Sequence, residues 1–401
     1  MHAPIYTNST PIDVYIVGAC ETSAFALPQT ERLRRSLVDI TPFHFHSSPD
    51  EASAGRKALV VRADWVIEKR ILHSLTSNDG QILQETCGGG RVHVAAFVTA
   101  DRVRDTIQLL TDQPSEPPTW CHGFKMGNAA EIAGNYERKL RKRQAPMAAL
   151  LNDASRDAVE RALFRSAYKG ATDFLTKYFW PVPAFHAVRA LATQGISPNV
   201  ITLISLVCVV ATFVLFWFGH FWVGLALAYL MAFLDTVDGK LARVTITSSR
   251  AGQLMDHGID LISPPFWWGA WFAGVLNSEW GVTDVFQAWG WTAFWSLMLL
   301  YWLVRLVENV FSKRFLIHIH IWQPIDFAFR QITTRRNVNI TILAAGMLFG
   351  RPDSAFLAMA AWAMASFIFH LARLVQALLQ QARGLEVRSW LSDPSPSKST
   401  A

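Results

Sequence analysis

Cysteine is scarce in this sequence: four in 401 residues (Cys20, Cys87, Cys121 and Cys208), with no C-x-x-C pair among them. Such spacing excludes an obvious disulfide framework and fits free thiols in a reducing compartment. The opening stretch, MHAPIYTNSTPIDVYIVGAC, has no basic start followed by an apolar core, so no cleaved signal peptide is expected. A phosphate-binding loop is also missing. CGGGR at 87–91 has the glycines but lacks the strand-then-helix setting, and reads as a turn. The formal net charge of +6 is modest, and no nucleic-acid partner is expected.

Apolar residues are abundant at 51%, with sixteen tryptophans, and they are unevenly placed. Residues 1–145 read as a soluble domain. From Asn199 to Leu379 the chain repeats apolar runs close to the ~20 residues that span a bilayer. A single soluble domain is thereby excluded. IDVYIVGA (12–19), ALVVRADWV (58–66) and RVHVAAFV (91–98) read as buried strands, with helical patterns at LPQTERLRRSLVDI and DWVIEKRILHSL. Alternating strands and helices predict a small α/β layer with a mainly parallel sheet.

RKLRKR at 138–143 opens a basic, helix-prone connector over 146–198. It ends in KYFWPVPAFHAVRALATQG, a pattern suited to an amphipathic helix in the headgroup plane. Six spans are expected, at about 199–218, 221–240, 253–276, 285–307, 337–350 and 354–380, within a domain ending near 385. The turns near 218–222 and 276–285 lack Lys and Arg, whereas the alternate loops are basic. That asymmetry places both termini on the cytoplasmic side of a bacterial-type membrane. The tail, 386–401, reads as disordered.

The most apolar region also holds Asp235, Asp238, Asp256 and Asp260. A carboxylate at the centre of a spanning helix costs at least ~2.5–3.5 kcal/mol, so four of them require a reason. Asp235 and Asp238 share a helix face with Gly239 and Ala242, while Gly252, Asp256 and Asp260 repeat at four-residue steps on the next helix. A short basic turn makes the two helices antiparallel neighbours whose acidic stripes converge. Oxygen-only ligands suit two Mg²⁺, Mn²⁺ or Ca²⁺ ions. Small residues and Arg243 beside them suit a diphosphate, and two bridging metals can stabilise attacking and leaving oxygens. Structural ion pairing, an ion pathway in a cation transporter and a non-catalytic scaffold are the competing readings.

Read together, Asp235, Asp238, Gly239, Ala242, Arg243, Gly252, Asp256 and Asp260 fill every position of D-x2-D-G-x2-A-R-x8-G-x3-D-x3-D. The chain thus resembles the CDP-alcohol phosphotransferase (CDP-alcohol phosphatidyltransferase) family of phospholipid-synthesising membrane enzymes. GISPNVITLISL at 195–206 is similar to the family's entry to its first span. The resemblance implies that Asp235, Asp238 and Asp256 hold two divalent cations, Mg²⁺ or Mn²⁺. Asp260 would be both ligand and general base, and Gly239, Ala242, Arg243 and Gly252 would line the cytidine diphosphate pocket. It also implies a membrane-embedded homodimer. A CDP-alcohol such as CDP-diacylglycerol would donate a phosphatidyl group to an acceptor hydroxyl, with release of CMP. The alternative is a soluble CDP-polyol donor.

Lys313, Arg314, Arg335 and Arg336, with Arg330, form a basic set suited to an anionic acceptor such as a polyol phosphate, although ordinary positive-inside anchors look the same. His318 and His320 alternate with isoleucines, which predicts a half-exposed extended segment rather than a metal site. The soluble domain is similar to a nucleotidyltransferase fused ahead of some members of that family. Asp64 stands where a metal-binding aspartate would be. The segment after Val17 lacks G-x-G-x-x-R, and Glu21 puts negative charge where phosphates belong, so the domain reads as degenerate.

Overall fold

The computed structural model describes residues 11–38, 40–49, 55–248 and 250–392, apart from the side chains of residues 250, 251, 253 and 256. The N-terminal region runs β1 (Ile12–Val17), α1 (Gln29–Leu37), β2 (Phe43–His46), β3 (Lys57–Arg62), β4 (Trp65–Ile67), α2 (Lys69–Ser77), β5 (Gln81–Cys87), β6 (Gly90–Thr99), α3 (Val103–Asp112), β7 (Lys125–Gly127) and α4 (Ala129–Ala133). Six strands form one sheet in the order β2-β1-β3-β6-β5-β7. Period-two alternation sends Ile12 and Val14 into a core shared with α1, α2 and α4, and Tyr15 into a second core shared with α3. Helices therefore cover both faces of the sheet.

That sheet is mixed, not mainly parallel. β1 pairs in parallel with β2 and β3, and β5 with β7, but β6 runs against both β3 and β5. The cause is local: CGGG is the tight turn of a β5–β6 hairpin, and two-residue turns join only antiparallel strands. The expected third strand is β6. β2, β5 and β7 are additions to the three strands legible in the sequence.

The connector continues through β8 (Tyr136–Glu137), β9 (Lys142–Arg143), β10 (Ala148–Leu150), α5 (Arg156–Ser166) and α6 (Pro181–Thr193). Residues 138–143, expected to be helix-prone, form the turn and second strand of a small hairpin. Gly170 explains the hairpin's place. Its N–H donates to the Leu140 carbonyl at 2.8 Å, and a Cβ there would lie 2.3 Å from the Arg141 carbonyl oxygen. β10 pairs with β4, so the sheet region extends past residue 145.

Each expected span is a helix: α7 (Pro198–Trp217), α8 (Phe221–Val244), α9 (Arg250–Asn277), α10 (Asp284–Phe315), α12 (Arg336–Leu348) and α13 (Pro352–Ala382), with the short α11 (Pro324–Phe329) between α10 and α12. Among the described residues, α7, α8, α10 and α13 are long and apolar enough to cross a membrane. α12, with 13 residues, is only about 20 Å long, against a hydrocarbon core of about 30 Å. α7 packs on α8 and α9, α13 on α10 and α12, and α12 on α8. Trp267, Trp268 and Trp271 fill the centre. The indole N–H groups of Trp267 and Trp271 donate to the carbonyls of Val209 and Pro352, each at 3.0 Å, which satisfies polar atoms that would otherwise be buried alone.

The sheet region is bolted to the bundle at the C-terminal end of α8. Buried Arg32 donates to the carbonyls of Val244 and Ala24, both at 2.8 Å, and Arg35 donates to the Thr245 carbonyl at 2.8 Å. The last carbonyls of a helix lack intrahelical partners and carry partial negative charge, so guanidinium caps are favourable there. Phe25, Val66 and Leu151 share an apolar core with α5, α6 and with Val237, Leu241 and Val244 of α8. At the other end, residues 386–392, expected to be disordered, are docked. Ser389 donates to the Ile321 carbonyl at 2.6 Å, and Leu391 is buried beside Ala171. Residues 393–401 lie outside the described residues.

Candidate active site

Asp235, Asp238, Gly239, Ala242 and Arg243 occupy the last turns of α8, and Gly252, Asp256 and Asp260 the first turns of α9. Asp235 and Asp260 face one cavity of ≈ 430 Å³. One cation joins them: Arg336, at the start of α12, donates to Asp260 Oδ1 at 2.5 Å and to Asp235 Oδ2 at 2.9 Å. The two helices thus bring these carboxylates within reach of a single positive group. Asp238 is buried and accepts from the Thr202 hydroxyl of α7 at 2.7 Å. The side chain of Asp256 lies outside the described residues.

Gly239 lines the cavity for a steric reason. The Arg243 guanidinium lies across it, and a Cβ would stand 3.2 Å from Arg243 Nη2. Ala242 and Gly252 sit on the same helices but are not among the described lining residues. Lys313 and Arg314 are exposed in the last turn of α10 and do not line the cavity. Arg335 does line it, held by an ion pair with Glu308 of α10.

Several cavity residues were not legible as such. Two prolines inside α9, Pro264 and Pro265, remove the N–H groups that would bond the carbonyls of Asp260 and Leu261. Tyr301 of α10 answers this loss. Its hydroxyl donates to the Leu261 carbonyl at 2.6 Å and lies 3.5 Å from that of Asp260. Arg305 stacks over the Tyr301 ring at 4.0 Å, within cation–π range. Tyr301 is therefore a positioning residue for the backbone that carries Asp260. The Pro-Pro pair in an apolar helix was the available signal.

The connector supplies a wall. Arg141 of the β8–β9 hairpin, Lys169 and Asp173 all reach the cavity, and the Asn337 amide of α12 donates to Asp173 at 3.0 Å. Lys240 is buried with its ammonium 3.7 Å over the Tyr168 ring. Among the described residues, eight Arg and Lys side chains line the cavity against four carboxylates. Crowding among them shows in their proton affinities. Burial, then neighbouring Arg335, pushes Arg330 down to about 10. The 318–321 segment is not extended. It forms a 3₁₀ turn, Ile319–Ile321, that buries His320 and leaves His318 exposed at the cavity edge.

In the sheet region, Asp64 is held by its neighbour. Arg62 donates to both of its carboxylate oxygens, at 2.9 and 2.6 Å. The segment after β1 is tied down as well: the Phe25 N–H donates to Glu160 of α5 at 2.8 Å.

Residues 195–369 match the family described as CDP-alcohol phosphatidyltransferase. The chain is 33% identical over 110 residues to a phosphatidylinositol phosphate synthase of Streptomyces avermitilis, covering 26% of this chain and 43% of that protein. It is 39% identical over 87 residues to a cholinephosphotransferase 1 of Danio rerio, covering 21% and 22%. To an archaetidylinositol phosphate synthase of Pyrococcus horikoshii it is 38% identical over 76 residues, covering 19% and 40%. The chain thus spans less than half the length of these curated relatives.

Proposed function

From the match of residues 195–369 to the CDP-alcohol phosphatidyltransferase family, we propose that the chain transfers a phosphatidyl group from a CDP-alcohol such as CDP-diacylglycerol to the hydroxyl of an anionic acceptor, releasing CMP. The observation that carries the reading is the shared cavity: Asp235 and Asp260 face a wall of arginines and lysines in excess of the acids. Such a wall suits phosphates, both the diphosphate of the donor and a phosphate on the acceptor. Two relatives are named as inositol phosphate lipid synthases, which agrees with an acceptor that carries phosphate.

In this reading the acceptor oxygen forms a bond to the phosphorus bearing the lipid. The bond from that phosphorus to the bridging oxygen breaks, and CMP leaves with the electron pair. Asp260, at the cavity surface, takes the acceptor proton. Arg243 over Gly239 faces the diphosphate, and Arg335 and Arg336 face the acceptor's phosphate. The all-oxygen donor set and the convergence of Asp235 and Asp260 on one cation fit a divalent metal pair, with Asp238 and Asp256 completing it. When bound, Mg²⁺ or Mn²⁺ ions would neutralise charge on the diphosphate and on departing CMP.

An apolar groove lined by Leu206, Phe213, Met255, Ile259, Ile262 and Phe266 runs between α7 and α9, next to the motif. It offers an acyl chain a place whichever substrate carries it. The cholinephosphotransferase relative supports the second reading, a soluble CDP-alcohol donor with a lipid acceptor. We further take all six bundle helices to be membrane-embedded, both termini to be cytoplasmic, α6 to lie at the headgroups, and the protein to be a homodimer. The N-terminal region, its sheet part reaching to β10, is taken as a nucleotidyltransferase-like domain that has lost its chemistry and covers the cytoplasmic mouth of the bundle. The Arg62 grip on Asp64 supports that loss.

The test is to incubate purified protein with labelled CDP-diacylglycerol, or a soluble CDP-alcohol, and a panel of alcohols and their phosphate esters. Release of CMP with a phosphatidyl product supports the reading. Release only from the soluble donor favours the second, and release that survives exhaustive chelation rules out the metal pair.

A further inference from the structure

We propose that Glu308, His320 and His370 form a second metal site, separate from the aspartate motif, for one transition-metal ion, with Zn²⁺ the best match. The three residues come from α10, the 319–321 turn and α13, and their ligand atoms all lie within 4.8 Å of one another. Glu308 Oε1 is 3.2 Å from His320 Nε2 and 3.8 Å from His370 Nε2. Ligands around a tetrahedral zinc at ordinary bond lengths sit roughly 3.3 Å apart, so little movement is needed to close on an ion.

Two independent observations point to a ligand. First, Glu308 Oε1, His320 Nε2 and His370 Nε2 are all buried and face each other, yet none makes a well-aligned hydrogen bond; the 3.2 Å approach of His320 to Glu308 is a charge contact only. His320 and His370 are 4% and 1% exposed, which makes unpartnered imidazole nitrogens costly. Second, His370 Nδ1 donates to the Ser366 carbonyl at 2.7 Å. In the neutral ring that bond puts the proton on Nδ1 and leaves Nε2 as a lone pair aimed at a carboxylate oxygen. Two acceptors do not face each other stably without a proton or a metal cation between them, and burial disfavours the protonated ring. A backbone carbonyl on the far ring nitrogen is the usual support of a metal-binding histidine.

Donor chemistry selects the ion. Two imidazoles and one carboxylate suit Zn²⁺ and its neighbours, whereas Mg²⁺ and Ca²⁺ prefer oxygen alone. The other Glu308 oxygen is held by Arg335, which fixes the carboxylate as a single-oxygen ligand. Glu308 and His320 also line the large cavity, which gives the ion its way in. Once bound, the ion ties α10, the turn and α13 together and holds Glu308, the partner of Arg335, in place.

The experiment reads metal content, so its outcome is independent of whether the chain is a transferase. Full-length protein is loaded with Zn²⁺, desalted into excess Mg²⁺ and assayed by elemental analysis. About one zinc per chain should remain, should be lost in His320→Gln and His370→Gln, and should survive in Asp235→Asn. Zinc retained in both histidine variants, zinc displaced by Mg²⁺, or zinc lost only in Asp235→Asn would overturn the proposal. If the histidine variants fail to fold, the Co²⁺-loaded unsubstituted chain decides. Strong visible absorption of a tetrahedral site supports the assignment, and the weak absorption of an octahedral oxygen site refutes it.

Discussion

Two carboxylate–arginine arrangements sit in different regions of this chain, one in the sheet region and one in the bundle. Asp64 is gripped by Arg62, two residues away, at the end of a strand. Asp235 and Asp260 are joined by Arg336, 101 and 76 residues distant, inside a cavity with seven further lysines and arginines among the described residues. The pairing chemistry is the same, but a local pair neutralises itself, whereas a long-range cluster holds charge in place for a ligand. A carboxylate's prospects depend on what else the fold brings to it.

The largest effect expected is on the bundle side. Asp260→Asn should abolish turnover while leaving CDP-alcohol binding largely intact, since the other aspartates remain; the loss should exceed roughly a thousand-fold, within the range for a catalytic group that also binds metal. CMP release and donor binding measured on the same preparation check it, and loss of binding as severe as in Asp235→Asn would make Asp260 chiefly a ligand. Changing Arg335 and Arg336 together to Gln should raise the acceptor KM by about a hundred-fold, the scale of losing two charge-assisted hydrogen bonds, with little change for the donor. Steady-state kinetics with each substrate varied separates the two.

Removing a cap at the junction should show as stability. Arg32→Ala takes two hydrogen bonds from a buried guanidinium and should cost about 2–4 kcal/mol. Thermal unfolding and limited proteolysis should show the sheet region released from α8 before the bundle melts; an unchanged profile would mean the apolar core alone holds the junction. Tyr301→Phe should be milder. It loses one hydrogen bond to the Leu261 carbonyl, a net of about 1 kcal/mol, or about five-fold in kcat, with KM preserved. Asp64→Asn should change nothing in CMP release, and any fall would put chemistry back into the sheet region.

The aspartate motif was legible because it is local: eight positions on two consecutive helices, in a stretch whose apolarity makes each acid conspicuous. The helices of the bundle were legible from run length alone. The cavity wall was not. Arg141 reaches it only because Gly170, 29 residues on, lets the hairpin approach, and no periodicity records that contact. His318 and His320 looked like an alternating strand, yet the 3₁₀ turn puts one at the cavity and buries the other against α10 and α13. Tyr301 and Glu308 lie in an ordinary apolar helix and become visible only when α9 and α12 are placed beside it. Docking of Ser389 and Leu391 was hidden by the polar composition of the tail around them.

The most direct measurement compares one polyol with its own phosphate ester as acceptor, using the same labelled CDP-alcohol and the purified full-length protein. The phosphate ester should be favoured in kcat/KM by about a hundred-fold or more, from charge-assisted bonds to the arginines, and Arg335→Gln with Arg336→Gln should remove most of that preference. Equal use of the neutral polyol, or a preference for the ester that survives both substitutions, would contradict it.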